Sequence, residues 1–386
     1  MLLFALLLLF DDPAKLFERG MNAWTANDLI TARASFADAA KQAPSNASVW
    51  MMLAQTCVKQ GDVKAAQAAA GNAEKFGSKD PAILQGLANF YANTDIAHAA
   101  AIGARYAQLV PQDVSAWQRV AEMYLAGGKL DQAIDAALKS PSKTAELHAL
   151  LGKAYAQRKS WAQSDEEFKQ AIRISPYDEQ LRLGAAQSHL MRLDFIGAEQ
   201  VLIEARKVFD KSPQLELTLG VAYYGERKFA NAVDQFLLTM KLSPDLPQPY
   251  AFLGRILEHA GDRLPEVTER FASFEQRNPG NPLAYLVHAK AIMPERPDEA
   301  LELLKKSVAL NESDGDTHLQ LGILLTRNSQ WNQAREHLER SIQLNGKDSA
   351  AHFQLAKVYS ALGRKEDAAR ERQLHEKLSE AEKSTR

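Results

Sequence analysis

Within residues 146–176 the apolar side chains Leu147, Leu150, Leu151, Ala154 and Tyr155 fall at three- and four-residue spacing, which predicts one amphipathic helix. After a polar break at residues 157–160 the pattern resumes at Trp161, Phe168, Ala171, Ile172 and Ile174, then stops at Ser175-Pro176. That is a second helix, ended by a proline that cannot continue it and that pushes the preceding residue out of the helical region. The same two-helix pattern runs through the whole chain. A small residue in the first helix returns at Gly20, Ala54, Ala88, Ala121, Gly152, Ala186, Gly220, Gly254, Ala289, Gly322 and Ala356, at steps of 31 to 35 residues. A second column keeps pace with it through Ala32, Ala66, Ala100, Ala133, Ser164, Ala198, Ala232, Val267, Ala300, Ala334 and Ala368. Self-similarity at this period predicts a solenoid, in which each unit buries its apolar face only against its neighbours.

The turns carry their own marks. Gly61, Gly128, Gly261 and Gly363, with Asn27, hold one slot between the two helices of a unit. The slot calls for a left-handed backbone, which glycine adopts without a Cβ penalty and asparagine tolerates. The Gly or Ala column predicts a close helix crossing, with the Ala32-type column as its partner. Pro44, Pro111, Pro141, Pro213, Pro244 and Pro279 stand at or near the exits between units. The fourth unit is about three residues short before Pro141, and an extra residue near Leu264 is offset by a deletion around Pro294 and Pro297. Local bends are expected at both places.

A chain of 386 residues exceeds the roughly 250 to 300 at which single cores stop growing, but a solenoid core extends in one dimension, so one continuous array is the reading. The net charge of -2, with no basic run, leaves no electrostatic footprint for a nucleic-acid backbone. Cys57 is the only cysteine, which excludes an intramolecular disulfide and any multi-cysteine metal site. It stands in the slot filled elsewhere by Tyr91, Tyr124, Tyr155 and Tyr223, so it reads as a packing residue.

Residues 1–10 are almost wholly apolar and are followed by Asp11, Asp12 and Pro13. Residues 1–12 read as an export signal or anchor, too short for a spanning helix of about 20 apolar residues. No Lys or Arg precedes the run and no small residues mark a cleavage site, so a greasy N-terminal extension stays open as the alternative. The first reading places the protein in the cell envelope or periplasm, exported or membrane-tethered. The second leaves it cytoplasmic. No cysteine follows the run directly, which argues against a lipoprotein.

One unit reads His148, Leu151, Gly152, Tyr155, Ser164, Phe168, Ala171, Pro176, and another reads Trp117, Val120, Ala121, Tyr124, Ala133, Ala137, Ser140, Pro141. In this the chain resembles the tetratricopeptide repeat family, over roughly residues 13–382 as eleven units. The resemblance implies an all-α, right-handed superhelical solenoid over residues 13–363, with residues 364–386 as a polar capping helix that completes the eleventh unit. It also implies a concave groove, lined by first helices, that accepts an extended or helical segment of a partner protein. The inward positions are then Phe17, Met21 and Trp24; Met51, Gln55 and Val58; Leu183, Gln187 and Leu190; Leu217, Val221 and Tyr224; and Phe353, Lys357 and Ser360. Two apolar stretches emerge, one at the N-terminal end and one across units six and seven. The Lys and Asn clamp with which some family members hold a chaperone tail is not visible, since matching positions carry Gln, Met or Leu and only Asn89 stands out.

Catalytic chemistry is not legible. His148, His318 and His352 share the slot of Trp50, Trp117 and Tyr250, a whole number of units apart, so they cannot converge on one site. The other histidines show neither HExxH nor i, i+4 spacing, and no metal or cofactor is expected. Gly127-Gly128-Lys129 lacks the rest of a phosphate loop and lies in the helix-helix turn. Carboxylates such as Glu166 and Glu167 read as helix-surface groups facing solvent or an i, i+4 lysine. No nucleophile stands on a recognisable turn. The expectation is a non-catalytic scaffold for protein partners, its oligomeric state open. The alternatives are a regulatory or assembly subunit docking onto an enzyme, such as a glycosyltransferase or cell-envelope assembly machinery, and a small-molecule or glycan binder.

Overall fold

A computed structural model describes residues 12–384; the apolar run at residues 1–10 lies outside them. Twenty-two α-helices and no strand are found among the described residues, two helices for each of the eleven repeats. The chain divides into two compact units, one up to Arg192 and one from Leu193.

The first unit holds the helix pairs Pro13–Thr25 and Leu29–Gln42, Ala47–Lys59 and Val63–Phe76, Pro81–Tyr91 and Ile96–Leu109, Val114–Ala126 and Leu130–Lys139, and Ala145–Gln157 and Trp161–Ile174, followed by Glu179–Met191. The second begins with Phe195–Arg206. It continues through Pro213–Gly225 and Phe229–Leu242, Pro247–Arg255 and Leu264–Arg277, Pro282–Ile292 and Pro297–Leu310, Gly315–Arg327 and Trp331–Leu344, and Ser349–Ala361 and Lys365–Ser384. Within each unit both helices of a pair pack together and each pair packs on the next, so both units are all-α solenoids.

Short acceptor side chains start most first helices. Asp12, Asn46, Asp80, Asp113, Thr144, Asp178, Ser212, Asn281, Asp314 and Asp348 each accept from a backbone N–H of the first turn, where helix amides lack an internal partner. The irregular units differ as their sequences do. Leu130–Lys139 has 10 residues where its counterpart Trp161–Ile174 has 14. The helix Pro247–Arg255 breaks off into two 3-10 turns, Leu257–His259 and Gly261–Arg263, which take up the extra residue near Leu264.

The turn slot has the left-handed backbone its residues predict: Gly61, Gly128, Gly261 and Gly363 have φ of 76°, 68°, 50° and 76°, and Asn27 has 60°. Lys159, Leu193, Arg227 and Ser329 occupy the same slot at φ 57° to 62°. There the turn imposes its geometry on residues that disfavour it, because the flanking helices leave the chain no other path.

The small-residue column works through a partner other than the one expected. The Ala32-type column is buried, but a methyl group on Gly152 would stand 2.8 Å from the Phe168 ring, and one on Gly220 would stand 2.6 Å from Phe236. Gly20 faces Phe36 and Gly322 faces Leu338 at 2.5 and 2.6 Å. The contact thus lies one helical turn beyond the Ala column. Phe168 also meets the next first helix, where a methyl on Gly184 would come within 2.7 Å of the ring.

A polar contact recurs with the repeat. Trp50 Nε1 donates to the Pro44 carbonyl at 2.8 Å, Trp117 Nε1 to Pro111 at 3.2 Å, Tyr250 OH to Pro244 at 2.8 Å and Tyr285 OH to Pro279 at 3.0 Å. His318 and His352 donate from Nε2 to the carbonyls of Glu312 and Gly346 at 3.2 and 3.3 Å. One slot of the first helix therefore clasps the carbonyl six residues back and fixes the angle at which the chain enters the repeat. Glu216 stands in this slot and cannot donate as a carboxylate. It accepts instead from Arg206 Nε at 3.0 Å, its second oxygen is buried without a partner, and burial pushes its carboxyl up.

Two outcomes test these packing rules. Gly152→Ala should cost about 1–3 kcal/mol, read as a lower urea midpoint, because the added methyl must displace the Phe168 ring or its helix. Arg227→Gly should raise the thermal midpoint, gaining roughly 0.5–1 kcal/mol as relief of the left-handed backbone outweighs the entropy of glycine.

Candidate partner-binding face

Three clefts open over first helices. In the first unit one of about 210 Å³ is lined by Gln85, Asn89, Arg119, Glu122 and Met123 over a floor that includes Ala88 and Ala92. A second, of about 710 Å³, is lined by Gln118, Glu122, Glu146, Lys153, Gln157 and Asp178. Glu122 borders both, so the two adjoin, and together they follow four successive first helices as a channel in two segments. In the second unit a cleft of about 300 Å³ runs over Ala251, Arg255, Leu286, Lys290 and Asp316.

Polar side chains stand among more extensive apolar surface in these linings. Gln118 Nε2 donates to Glu122 Oε1 at 2.9 Å, and Lys290 Nζ pairs with Asp316 Oδ2 at 3.3 Å. The Thr144 hydroxyl and backbone N–H bonding hold the Glu146 carboxyl below the usual range, so it stands ionised in the channel.

The residues that the resemblance places in the groove differ in exposure. Phe17, Met21 and Trp24 are half-buried: Phe17 leans on Phe36 at 5.7 Å between ring centres, and Lys59 Nζ covers the Trp24 ring at 3.8 Å. Gln55 is half-buried and Val58 exposed. Met51 is buried, its sulfur and methyl lying against the next first helix at Gly86, and Leu183 is buried too. Both are withdrawn from the surface in this conformation, whereas Val58 and Phe353, apolar at inward positions of other repeats, are exposed. Gln187 is exposed, and Leu190, Leu217, Val221 and Tyr224 are half-buried. Tyr224 makes edge contacts with Phe229 and Phe252 at 6.0 and 5.7 Å. Phe353 and Lys357 are exposed, with the Lys357 ammonium 4.3 Å over the Phe353 ring, and Ser360 is exposed beside them.

The clefts lie elsewhere, yet at positions the same spacing generates. Gln85, Gln118 and Ala149 follow the Trp slot, Asn89, Glu122, Lys153, Arg255 and Lys290 follow the Gly slot, and Ala92 and Leu125 follow the Tyr slot. They belong to repeats other than those whose inward positions are named above.

The histidines serve as joints. His148 Nδ1 meets Glu167 Oε2 at 2.6 Å, and His352 Nδ1 meets Glu371 Oε2 at 2.5 Å. Glu167 therefore faces the first helix of its own repeat, not solvent or a lysine, while Glu166 accepts from Gln170 one turn on. In the tenth repeat the partner is a histidine: His318 Nδ1 and His337 Nδ1 lie 3.0 Å apart. Since His318 gives its Nε2 proton to the Glu312 carbonyl, its Nδ1 is the acceptor and His337 the donor. Among the described residues no group of three or more His, Cys, Asp or Glu side chains is placed to hold a metal ion. Cys57 is buried, and burial pushes its thiol up.

Tetratricopeptide repeat profiles match residues 23–90, 121–179 and 319–372. Those segments are tetratricopeptide repeats. Among solved structures these repeats resemble the APC/C hetero-tetramer Cut9-Hcn1, at 12% identity over 97% of this chain and 95% of that one, with a TM-score of 0.48. Yeast Tom70 aligns at 16% identity over 95% and 91%, with a TM-score of 0.38, and MamA of Desulfovibrio magneticus RS-1 at 20% over 44% and 96%, also 0.38. These likenesses add nothing on function. No curated protein matches the chain.

The histidine joint makes stability depend on pH. Burial first, and the neighbouring His318 second, hold the His337 imidazole below its ordinary value of 6.5. As pH falls below that value the unfolded chain takes up a proton the folded chain does not, so stability is full above it and drains away below. Between roughly pH 7 and pH 5 the thermal midpoint of the wild type should fall further than that of His337→Gln, which donates to His318 without titrating.

Proposed function

We propose that this repeat protein is a non-catalytic scaffold that holds a segment of a partner protein along its first-helix faces. The observation that carries the reading is the channel of the first unit. It is open to solvent, floored by small residues such as Ala88, Ala92 and Ala149, and edged by Asn89, Glu122 and Lys153 at successive repeats. A polypeptide laid there meets a polar or charged group at each repeat while the small floor lets its backbone approach. Residues 1–10 direct the chain to the cell envelope or hold it at a membrane, in keeping with their apolar run.

Affinity capture from native cells, with mass spectrometry of what is retained, tests the scaffold reading. The double variant Glu122→Ala with Lys153→Ala should lose its partner by about tenfold with helicity unchanged, while Lys169→Ala, on a second helix, should retain it. Equal capture by all three proteins would refute the channel as the binding face. Fractionation of cells making the chain with and without residues 2–11 tests the address: the full chain should travel with the envelope and the shortened one should not.

A further inference from the structure

The slot that clasps the carbonyl six residues back has one acidic occupant. Indole, phenol and imidazole donate from it, and so does the Arg182 guanidinium, whose Nη2 reaches the Pro176 carbonyl at 2.9 Å. Leu16 and Leu84 hold the slot without donating and are buried apolar packing. Glu216 does neither. The Asp210 carbonyl six residues back receives no side-chain donor among the described residues, and one Glu216 oxygen adds a second unanswered acceptor.

A cleft of about 510 Å³ opens at this repeat, between the ends of Phe195–Arg206 and Phe229–Leu242. It occupies the place of the missing ring. In the next repeat the Tyr250 phenol donates to the Pro244 carbonyl, and Arg277 closes over it, with Nη2 3.3 Å from the phenol oxygen and Nε 3.0 Å from Asp245. Counted along the repeat, the counterparts of Pro244, Asp245 and Arg277 are Asp210, Lys211 and Leu242, and all three line the cleft. Ile203, Phe209 and Leu238 add apolar wall, and Glu216, 4% exposed, lies at the bottom. A buried acceptor without a partner calls for a donor.

The rim carries no surplus charge for an ionic ligand. Lys207 is paired with Glu204 at 2.5 Å and Lys211 with Asp210 at 3.7 Å, while Arg206 holds the other Glu216 oxygen at 3.0 Å. Apolar walls around a single open acceptor suit a neutral ring with one donor.

We propose that the cleft over Glu216 binds an aromatic ring bearing an O–H or N–H group, supplied from outside the chain. The ring replaces the phenol or indole that other repeats carry in this slot and donates to the free Glu216 oxygen. The site belongs to the second unit and does not depend on the channel of the first.

Titration of the full chain with phenol and with toluene, followed by ligand-detected NMR, tests it. The two probes have nearly the same shape, so the wild type should favour phenol by about tenfold, the worth of one hydrogen bond to a charged acceptor. Glu216→Leu, an apolar occupant already seen at residue 84, should lose that preference with helicity unchanged. Glu216→Tyr should place its own phenol in the cleft and bind neither probe. A wild type that binds neither probe, a Glu216→Leu variant that keeps the preference, or a folded Glu216→Tyr variant that binds both as before overturns the proposal. Indole and N-acetyltryptophanamide separate the sources: tighter binding of the amide supports a side chain of a partner polypeptide, and tighter binding of indole supports a free small molecule.

Discussion

The distance between one helix and the next is set at a single crossing, where the first-helix backbone meets the side chain sixteen residues on. In four of the five repeats whose first helix offers glycine at this slot the second answers with a ring or a branched chain, Gly20 with Phe36, Gly152 with Phe168, Gly220 with Phe236 and Gly322 with Leu338, while Gly254 faces Val287 of the next first helix. Where the first helix offers alanine the answer is often alanine, as in Ala54 with Ala70 and Ala121 with Ala137. Large beside small and small beside small both fill the crossing without a void, and interiors this dense tolerate neither a gap nor an excess methyl. Phe168, wedged between Gly152 and Gly184, shows that one ring can set two spacings at once.

Given those spacings, polar contacts settle orientation. The donor slot that clasps the carbonyl six residues back is filled by indole, phenol or imidazole alike, because what matters is an N–H or O–H at that reach. Its imidazoles then have a second nitrogen to satisfy, and they do so nineteen residues on, with Glu167, Glu371 or His337. Buried polar groups must be paired, so the choice of imidazole in one helix dictates a carboxylate or a second imidazole in the other. Glu216 is the slot's exception, with one oxygen left unanswered.

Much of the fold was legible in the chain, since an apolar pattern repeated with each unit constrains helix number, pairing and turns together. What escaped was whatever depends on side chains in different helices. The left-handed turns at Lys159, Leu193, Arg227 and Ser329 carry no glycine to announce them, because the flanking helices impose the turn. The tie of His318 to His337 joins residues whose spacing means nothing along a single helix. The inward-facing positions were readable from the repeat, but slot alone does not say how far each side chain is exposed, and Met51 and Leu183 are buried where Val58 and Phe353 are not. The open clefts hold other members of the same columns, hydrophilic ones such as Asn89, Glu122 and Lys153 beside apolar ones such as Leu125 and Ala149.

Cys57, enclosed at 1% exposure and with its thiol held protonated by burial, is the chain's sole sulfhydryl. Only thiolates react quickly with alkylating reagents, so the native fold is close to silent toward maleimides. A cysteine introduced at any exposed position would be the one that takes the label. Pairs of such positions, one in each compact unit, make spin-label or fluorescence distance measurements feasible without first removing a native thiol.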